Sequence, residues 1–168
     1  MKFIHLSDLH LGKRVNEFSM LEEQDAILKQ ILGIIDNEVP DGVLIAGDVY
    51  DKSVPAAEAV QLLDWFLTEL AIRKLPVYMV SGNHDSGERL SFGAHLLEKS
   101  GVYLRSVYDG CLEPIELEDS YGKLNLYMLP FVKPAHVKRF FSEEIIESYT
   151  DACAAAFFNG SLDFGANG

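Results

Sequence analysis

Three short polar clusters carry most of the chemistry available to this chain: Ser7-Asp8-Leu9-His10, Gly47-Asp48-Val49-Tyr50-Asp51 and Gly82-Asn83-His84-Asp85. Carboxylate, imidazole and amide oxygen together suit a divalent ion of intermediate softness, namely manganese, iron or zinc; the imidazole makes magnesium a poorer match. Asp8 and His10, alternating around a strand end, can clasp one ion. Asp48, on a tight turn that Gly47 permits, can bridge two ions about 3.5–4 Å apart, with the Asn83 carbonyl oxygen serving the second. Two divalent ions set against Asp8 and Asp48 leave a local surplus of about two positive charges, so that an acidic protein can still bind phosphate.

Singly, each cluster is ordinary, because Asp and Asn are common in turns and ahead of helices. Together they are not: at roughly 5% per specified residue, all three arise by chance on the order of once in a hundred thousand sequences. Each also follows an apolar run that reads as a strand: residues 3–7, 43–46 and 77–80. The 43–46 run is continuous enough for burial on both faces. Forty residues separate Asp8 from Asp48, and 35 separate Asp48 from Asn83. Each interval accommodates a strand, a crossover helix and the next strand. Right-handed crossovers bring the three strand ends to one edge of a parallel sheet, where ligands bind. The fold class expected is α/β, a layered arrangement of βαβ units with sheets flanked by helices.

The first crossover helix is expected after Ser19, with Glu22 completing a capping box. Its apolar stripe of Leu21, Ile27, Leu28, Ile31, Leu32, Ile34 and Ile35 is broken only by Gln24. Ser53 and Pro55 open a second helix with Ala59, Leu62, Leu63, Phe66, Leu67 and Leu70 on its apolar face. A shorter helix is expected over 89–99, ended by Gly101; Gly93 inside it costs about 1 kcal/mol against alanine and suggests a close backbone contact. Further on, 102–104, 111–117 and 123–129 read as strands, the last two joined as a hairpin through 119–122. A helix is expected over 142–158, stopped by Asn159-Gly160, and the last eight residues read as a tail or a cut through a longer protein.

The 168 residues are 48% hydrophobic and 24% charged, the composition of a folded domain. Fourteen Lys and Arg against 26 Asp and Glu give a net charge of −12. That argues against holding nucleic acid or anionic lipid by a general basic surface. Cys111 and Cys153 form neither a disulfide scaffold nor a zinc spacing, which fits a reducing compartment. No membrane span and no secretory leader are recognisable, so a cytoplasmic location is expected.

The ordered set Asp-x-His, Gly-Asp-x-x-Asp and Gly-Asn-His-Asp resembles the signature of calcineurin-like metallophosphoesterases. The fuller stretches from Ile4 to Gly12, Ala46 to Asp51 and Val80 to Asp85 are similar to those of SbcD-type exonuclease subunits, over residues 1–130 well and loosely beyond. The resemblance implies Asp8, His10, Asp48 and Asn83 as metal ligands, with Asp48 bridging two ions, manganese first among the candidates. It implies His84 as the catalytic histidine, stabilising the transition state or protonating the leaving oxygen, with Asp51 hydrogen-bonding His84 to fix its ring. The implied reaction is phosphodiester hydrolysis at DNA ends, alongside an SbcC-type ATPase and within a homodimer. Gly93 and the helix bearing Phe92, His95 and Leu96 are candidates for the dimer contact.

Family members complete the site with downstream histidines, including a Gly-His-x-His segment, whereas after His84 this chain has only His95 and His136. Residues 1–168 are therefore expected to be the N-terminal part of a metallophosphoesterase domain, lacking the capping region and holding the second ion weakly through Asp48 and Asn83, with little activity alone. Other phosphoesterases acting on small esters share the same motifs, and a non-catalytic module for dimerisation or ATPase docking is a third reading. The remaining polar and aromatic residues fit plainer roles. His5 is expected to be a satisfied core or second-layer histidine of the first strand, His95 a helix-surface or interface residue, and His136 part of a solvated basic helix start. Trp65, Phe66, Cys111 and Cys153 are expected to pack.

Overall fold

A computed structural model describes residues 1–158. The chain divides into two compact units, residues 1–106 and the part from 107 onward. The first runs β1 (Phe3–Leu6), β2 (Arg14–Val15), β3 (Phe18–Ser19), α1 (Leu21–Glu38), β4 (Gly42–Ala46), α2 (Ala57–Ile72), β5 (Val77–Val80), α3 (Gly87–Leu90), α4 (Ala94–Glu98) and β6 (Val102–Arg105). Four strands form one parallel sheet in the order β1-β4-β5-β6, and β2 pairs with β3 as a small antiparallel ribbon.

Register explains the core. Val43 stands beside Val77 and Val77 beside Val102; Ile45, Met79 and Leu104 form the next row. All six side chains are buried, in one cluster with Leu28, Leu32 and Ile35 of α1 and Ala59, Leu63, Phe66 and Leu70 of α2. Each large apolar side chain removed from water in this layer contributes about 1.5–3 kcal/mol. The intervening row is His5, Leu44, Tyr78 and Tyr103 on the opposite face, with the two tyrosine rings stacked at 5.2 Å. Because side chains alternate along a strand, His5 falls on that second face and is exposed, not a satisfied interior histidine. The same alternation leaves Leu44 half-buried and Ala46 exposed, so β4 is not covered along its whole length on both faces.

Several helix ends differ from the sequence reading. Ser19 belongs to β3; helix α1 starts at Leu21 with Met20 as its cap residue, and the Ser19 hydroxyl accepts from the Leu21 N–H at 3.4 Å. Helix α2 starts at Ala57, after Ser53 and Pro55. The helix expected over 89–99 is two short ones, because Gly93 takes φ +76° and caps α4. A Cβ there would meet nothing within 4 Å, so the glycine serves the left-handed turn and not a close contact. Gly101, at φ +83°, ends the segment as expected.

The second unit contains β7 (Ile115–Asp119), β8 (Gly122–Leu126), α5 (Pro134–Val137) and α6 (Tyr149–Phe158). The hairpin turns at Ser120-Tyr121, with Asp119 opposite Gly122. Helix α6 begins at Tyr149, later than expected. The Ser148 hydroxyl accepts from the Asp151 N–H, and the Asp151 carboxylate accepts from the Glu147 and Ser148 N–H groups at 3.1 and 2.8 Å. That reciprocal capping box starts the helix. Val137, Ile146, Ala152 and Ala156 fill a separate small core, with Cys153 packed against it, whereas Cys111 is exposed. His95 and His136 are both exposed. The expected stop at Asn159-Gly160 and the final eight residues lie outside the described part. Among the described residues no helix is long and apolar enough to cross a membrane.

Candidate metal centre

Strands β1, β4 and β5 run parallel, so the loops that follow them emerge at one edge of the sheet. Pairing continues past the strand ends. Asp8 N–H donates to the Gly47 carbonyl at 3.2 Å, His10 N–H to the Asp48 carbonyl at 2.9 Å, and Leu11 N–H to the Val49 carbonyl at 2.9 Å. Asp51 N–H returns to the Leu11 carbonyl at 3.2 Å. Three residues on these loops, Asp8, His10 and Asp48, have left-handed backbones with φ of +55°, +44° and +48°. Such a conformation costs a non-glycine residue about 1–3 kcal/mol and persists only where surrounding contacts enforce it. The inter-loop hydrogen bonds are those contacts.

Two glycines and one carboxylate press the second and third loops together. Gly47 adopts φ +82°, and a Cβ on it would lie 2.8 Å from the Gly82 Cα. A Cβ on Gly82 would overlap the Asp48 carboxylate and backbone nitrogen. Asp85 then clips the loops: one oxygen accepts from Val49 N–H (3.1 Å) and Gly82 N–H (2.8 Å), the other from Tyr50 N–H (2.9 Å).

His10 occupies the middle of the resulting acidic pocket. Its Nε2 lies 3.8 Å from Asp8 Oδ1 and 3.9 Å from Asp48 Oδ2, and its Nδ1 lies 3.9 Å from Asp51 Oδ1. Potential ligand atoms of Asp8, His10 and Asp48 lie within 4.8 Å of one another, as do those of His10, Asp51 and His84. These separations are too long for hydrogen bonds. Those of His10 Nε2 from Asp8 and Asp48 suit atoms converging on a shared cation, since ligands about 2.0–2.2 Å from an ion sit roughly 3–4 Å apart. His10 Nδ1 is buried without a hydrogen-bond partner. With Nε2 turned to a cation, Nδ1 carries the ring proton and Asp51 is the acidic group facing it. The donor set therefore fits a divalent metal.

His84 joins this pocket from the third loop. Its backbone N–H donates to Asp48 Oδ1 at 3.0 Å, and its ring meets the His10 ring edge-on with centroids 4.9 Å apart. The Asp51 contact expected for His84 is present in another form: His84 Nδ1 lies 3.0 Å from the Asp51 backbone carbonyl, while the Asp51 carboxylate faces His10. That carbonyl raises the His84 pKa above its ordinary value; the Asp48, Asp51 and Asp85 charges add to the effect and desolvation opposes it. Asn83 is exposed on the same loop, between Gly82 and His84.

Two side chains that position the site carry no metal-ligand signature. Asp85 closes the third polar cluster, and its role emerges only from the three N–H groups it collects. Gln24 on α1 accepts from Gly12 N–H at 3.0 Å and donates to the Leu9 and His10 carbonyls at 3.1 and 2.7 Å. Its signal in the sequence is the solitary polar break in an apolar helical stripe.

A family model described as calcineurin-like phosphoesterase matches residues 1–158. Over 153 residues the chain is 39% identical to the SbcD subunit of the SbcCD nuclease of Staphylococcus epidermidis and 37% identical to that of Staphylococcus saprophyticus. Each comparison covers 90% of this chain and 40% of the relative, so the chain spans about two fifths of the length of these curated relatives. The parallel sheet, the acidic loops at its edge and a family match across all described residues lead to one assignment: the chain belongs to the calcineurin-like phosphoesterase family.

Proposed function

We propose that this chain is the N-terminal, metal-binding part of a nuclease subunit that hydrolyses phosphodiester bonds at DNA ends. The observation that carries the reading is the convergence of Asp8, His10, Asp48, Asp51 and His84 on one sheet edge. Asp8, His10 and Asp48 would hold one ion, and Asp48 with Asn83 would hold a second; manganese would suit this mix of imidazole and oxygen donors. When bound, such ions polarise a phosphoryl oxygen and lower the pKa of water. His84, kept protonated more readily by the Asp51 carbonyl and the nearby carboxylates, presents Nε2–H to the phosphoryl or leaving oxygen. Asp51 positions His84 through its backbone and His10 through its carboxylate.

The similarity to these SbcCD nuclease components supports an SbcC-type ATPase as partner; a cytoplasmic place of work on DNA belongs to the same proposal. A homodimer is part of the same reading, through the apolar surface where Val60, Ile72, Phe92 and Leu96 line one groove. A phosphoesterase for small phosphate esters is the rival reading, because the whole ligand set is common to both. The deciding experiment gives the full-length protein manganese with end-labelled linear duplex DNA and, separately, a small phosphate ester. Progressive shortening of the duplex is expected. Ester hydrolysis with intact DNA would favour the rival. Calorimetric titration of manganese into the present chain is expected to find one tight site, from Asp8, His10 and Asp48; two tight sites would overturn this ligand assignment.

A further inference from the structure

We infer that Gln24 is a positioning residue for the metal centre: its amide, reaching from α1 into the first loop, sets the orientation of His10. The inference deepens the metal reading above and rests on it.

The first loop must hold His10 in a left-handed backbone (φ +44°) while directing its ring between Asp8, Asp48 and Asp51. The β4 loop holds the N–H groups of Asp8, His10 and Leu11 and the Leu11 carbonyl, but it leaves the Leu9 and His10 carbonyls untied. Past that point the chain turns sharply: Lys13 N–H donates back to the His10 carbonyl at 3.0 Å, and Gly12 lies within the turn at φ +85°. The Gln24 amide supplies the missing restraint. One Nε2 donates to two successive carbonyls, Leu9 and His10, which makes both face α1, and Oε1 accepts from Gly12 N–H on the far side of the turn. Three backbone groups spanning His10 are thereby tied to one side chain. Gly12 lies against α2 as well, where a Cβ would come 3.1 Å from the Ala59 Cβ, so the loop has little room to drift.

An amide is the group this task requires. A carboxylate could accept from Gly12 but would set oxygen against the two carbonyls, and an apolar side chain would leave all three groups without Gln24. This explains a polar residue on the face of α1 that also carries Leu21, Leu28 and Ile31. Groups that orient a metal ligand typically change metal affinity by about 10–100-fold when removed.

The test compares the wild-type chain with Gln24→Met, Gln24→Glu and Leu28→Ala. Gln24→Met keeps length and helix propensity but removes all three hydrogen bonds. Gln24→Glu is isosteric and keeps only the acceptor for Gly12. Leu28→Ala weakens the core one turn along α1 and removes none of the three Gln24 hydrogen bonds. Manganese affinity is measured by calorimetry, and amide exchange at Gly12 is followed in the metal-free chain. Both Gln24 variants are expected to bind manganese about 10–100-fold more weakly. Gly12 exchange should accelerate in Gln24→Met and remain slow in Gln24→Glu, while Leu28→Ala lowers the melting temperature and leaves manganese affinity within about twofold. Wild-type affinity in both Gln24 variants, or an equal loss in Leu28→Ala, would overturn the inference and leave the metal reading standing. A wild-type chain that binds no manganese would overturn the metal reading, and the inference with it.

Discussion

His84 joins two loops through one residue. Its backbone N–H is tied to Asp48, and its ring is tied to the carbonyl of Asp51. If the full-length protein has the proposed activity, His84→Ala is expected to lower kcat by about 10²–10⁴-fold while metal content stays intact. Asp48→Ala should abolish both if it deletes the proposed shared ligand; metal analysis alongside turnover separates the two outcomes. In the metal-free chain, NMR titration should find the His84 imidazole titrating above its ordinary 6.5, since the Asp51 carbonyl and the carboxylates of Asp48, Asp51 and Asp85 favour the protonated ring. The sign for stability follows: with the folded value raised, the contribution is complete below the unfolded pKa and disappears as pH rises through the folded one. A His84 value at or below 6.5 would show that desolvation dominates.

At the level of elements, the site depends on two loops brought closer than side chains normally allow. Gly82→Ala would place a methyl group on the Asp48 backbone and carboxylate, so the β4 and β5 loops must separate. Weaker manganese binding with a cooperative melt is the expected result, read by calorimetry of both properties. Asp85→Ala leaves the Val49, Tyr50 and Gly82 N–H groups without their acceptor. A loss of about 2–4 kcal/mol in denaturant unfolding is expected. The clip and the glycine contact act on the same pair of loops, so the double variant should cost less than the sum of the singles.

The whole molecule has two separately cored units, and only the first carries the proposed ligands. Phe66 is fully buried beneath the sheet; Phe66→Ala should destabilise the first unit by about 3–5 kcal/mol, measured by chemical unfolding. Around the groove of α2 and α4, Phe92 and Leu96 are 90% and 71% exposed, unusual for large apolar side chains. If that surface joins two copies, analytical ultracentrifugation of the intact protein should show a dimer that Leu96→Glu converts to a monomer that still melts cooperatively. A monomeric wild-type protein would remove the dimer from the proposed function.

The linear sequence determined the parallel α/β architecture, the order of the strands that carry the site and the identity of the polar clusters, because each is encoded locally. Apolar runs of strand length separated by helical stripes dictate βαβ units, and Asp8, His10, Asp48 and His84 stand at the strand ends where such units gather ligands. Tertiary structure decided what depends on partners far along the chain. Strand parity turned His5 to the outer row; Gly93 proved to be a turn residue; the Ser148–Asp151 capping box overrode a longer helical pattern. Most of all, only the packed fold assigned Asp51 its carbonyl contact to His84, Asp85 its clip and Gln24 its hold on the first loop. Spacing in sequence reports which elements can meet. A hydrogen bond formed across many residues depends on register and loop curvature, which no local pattern contains.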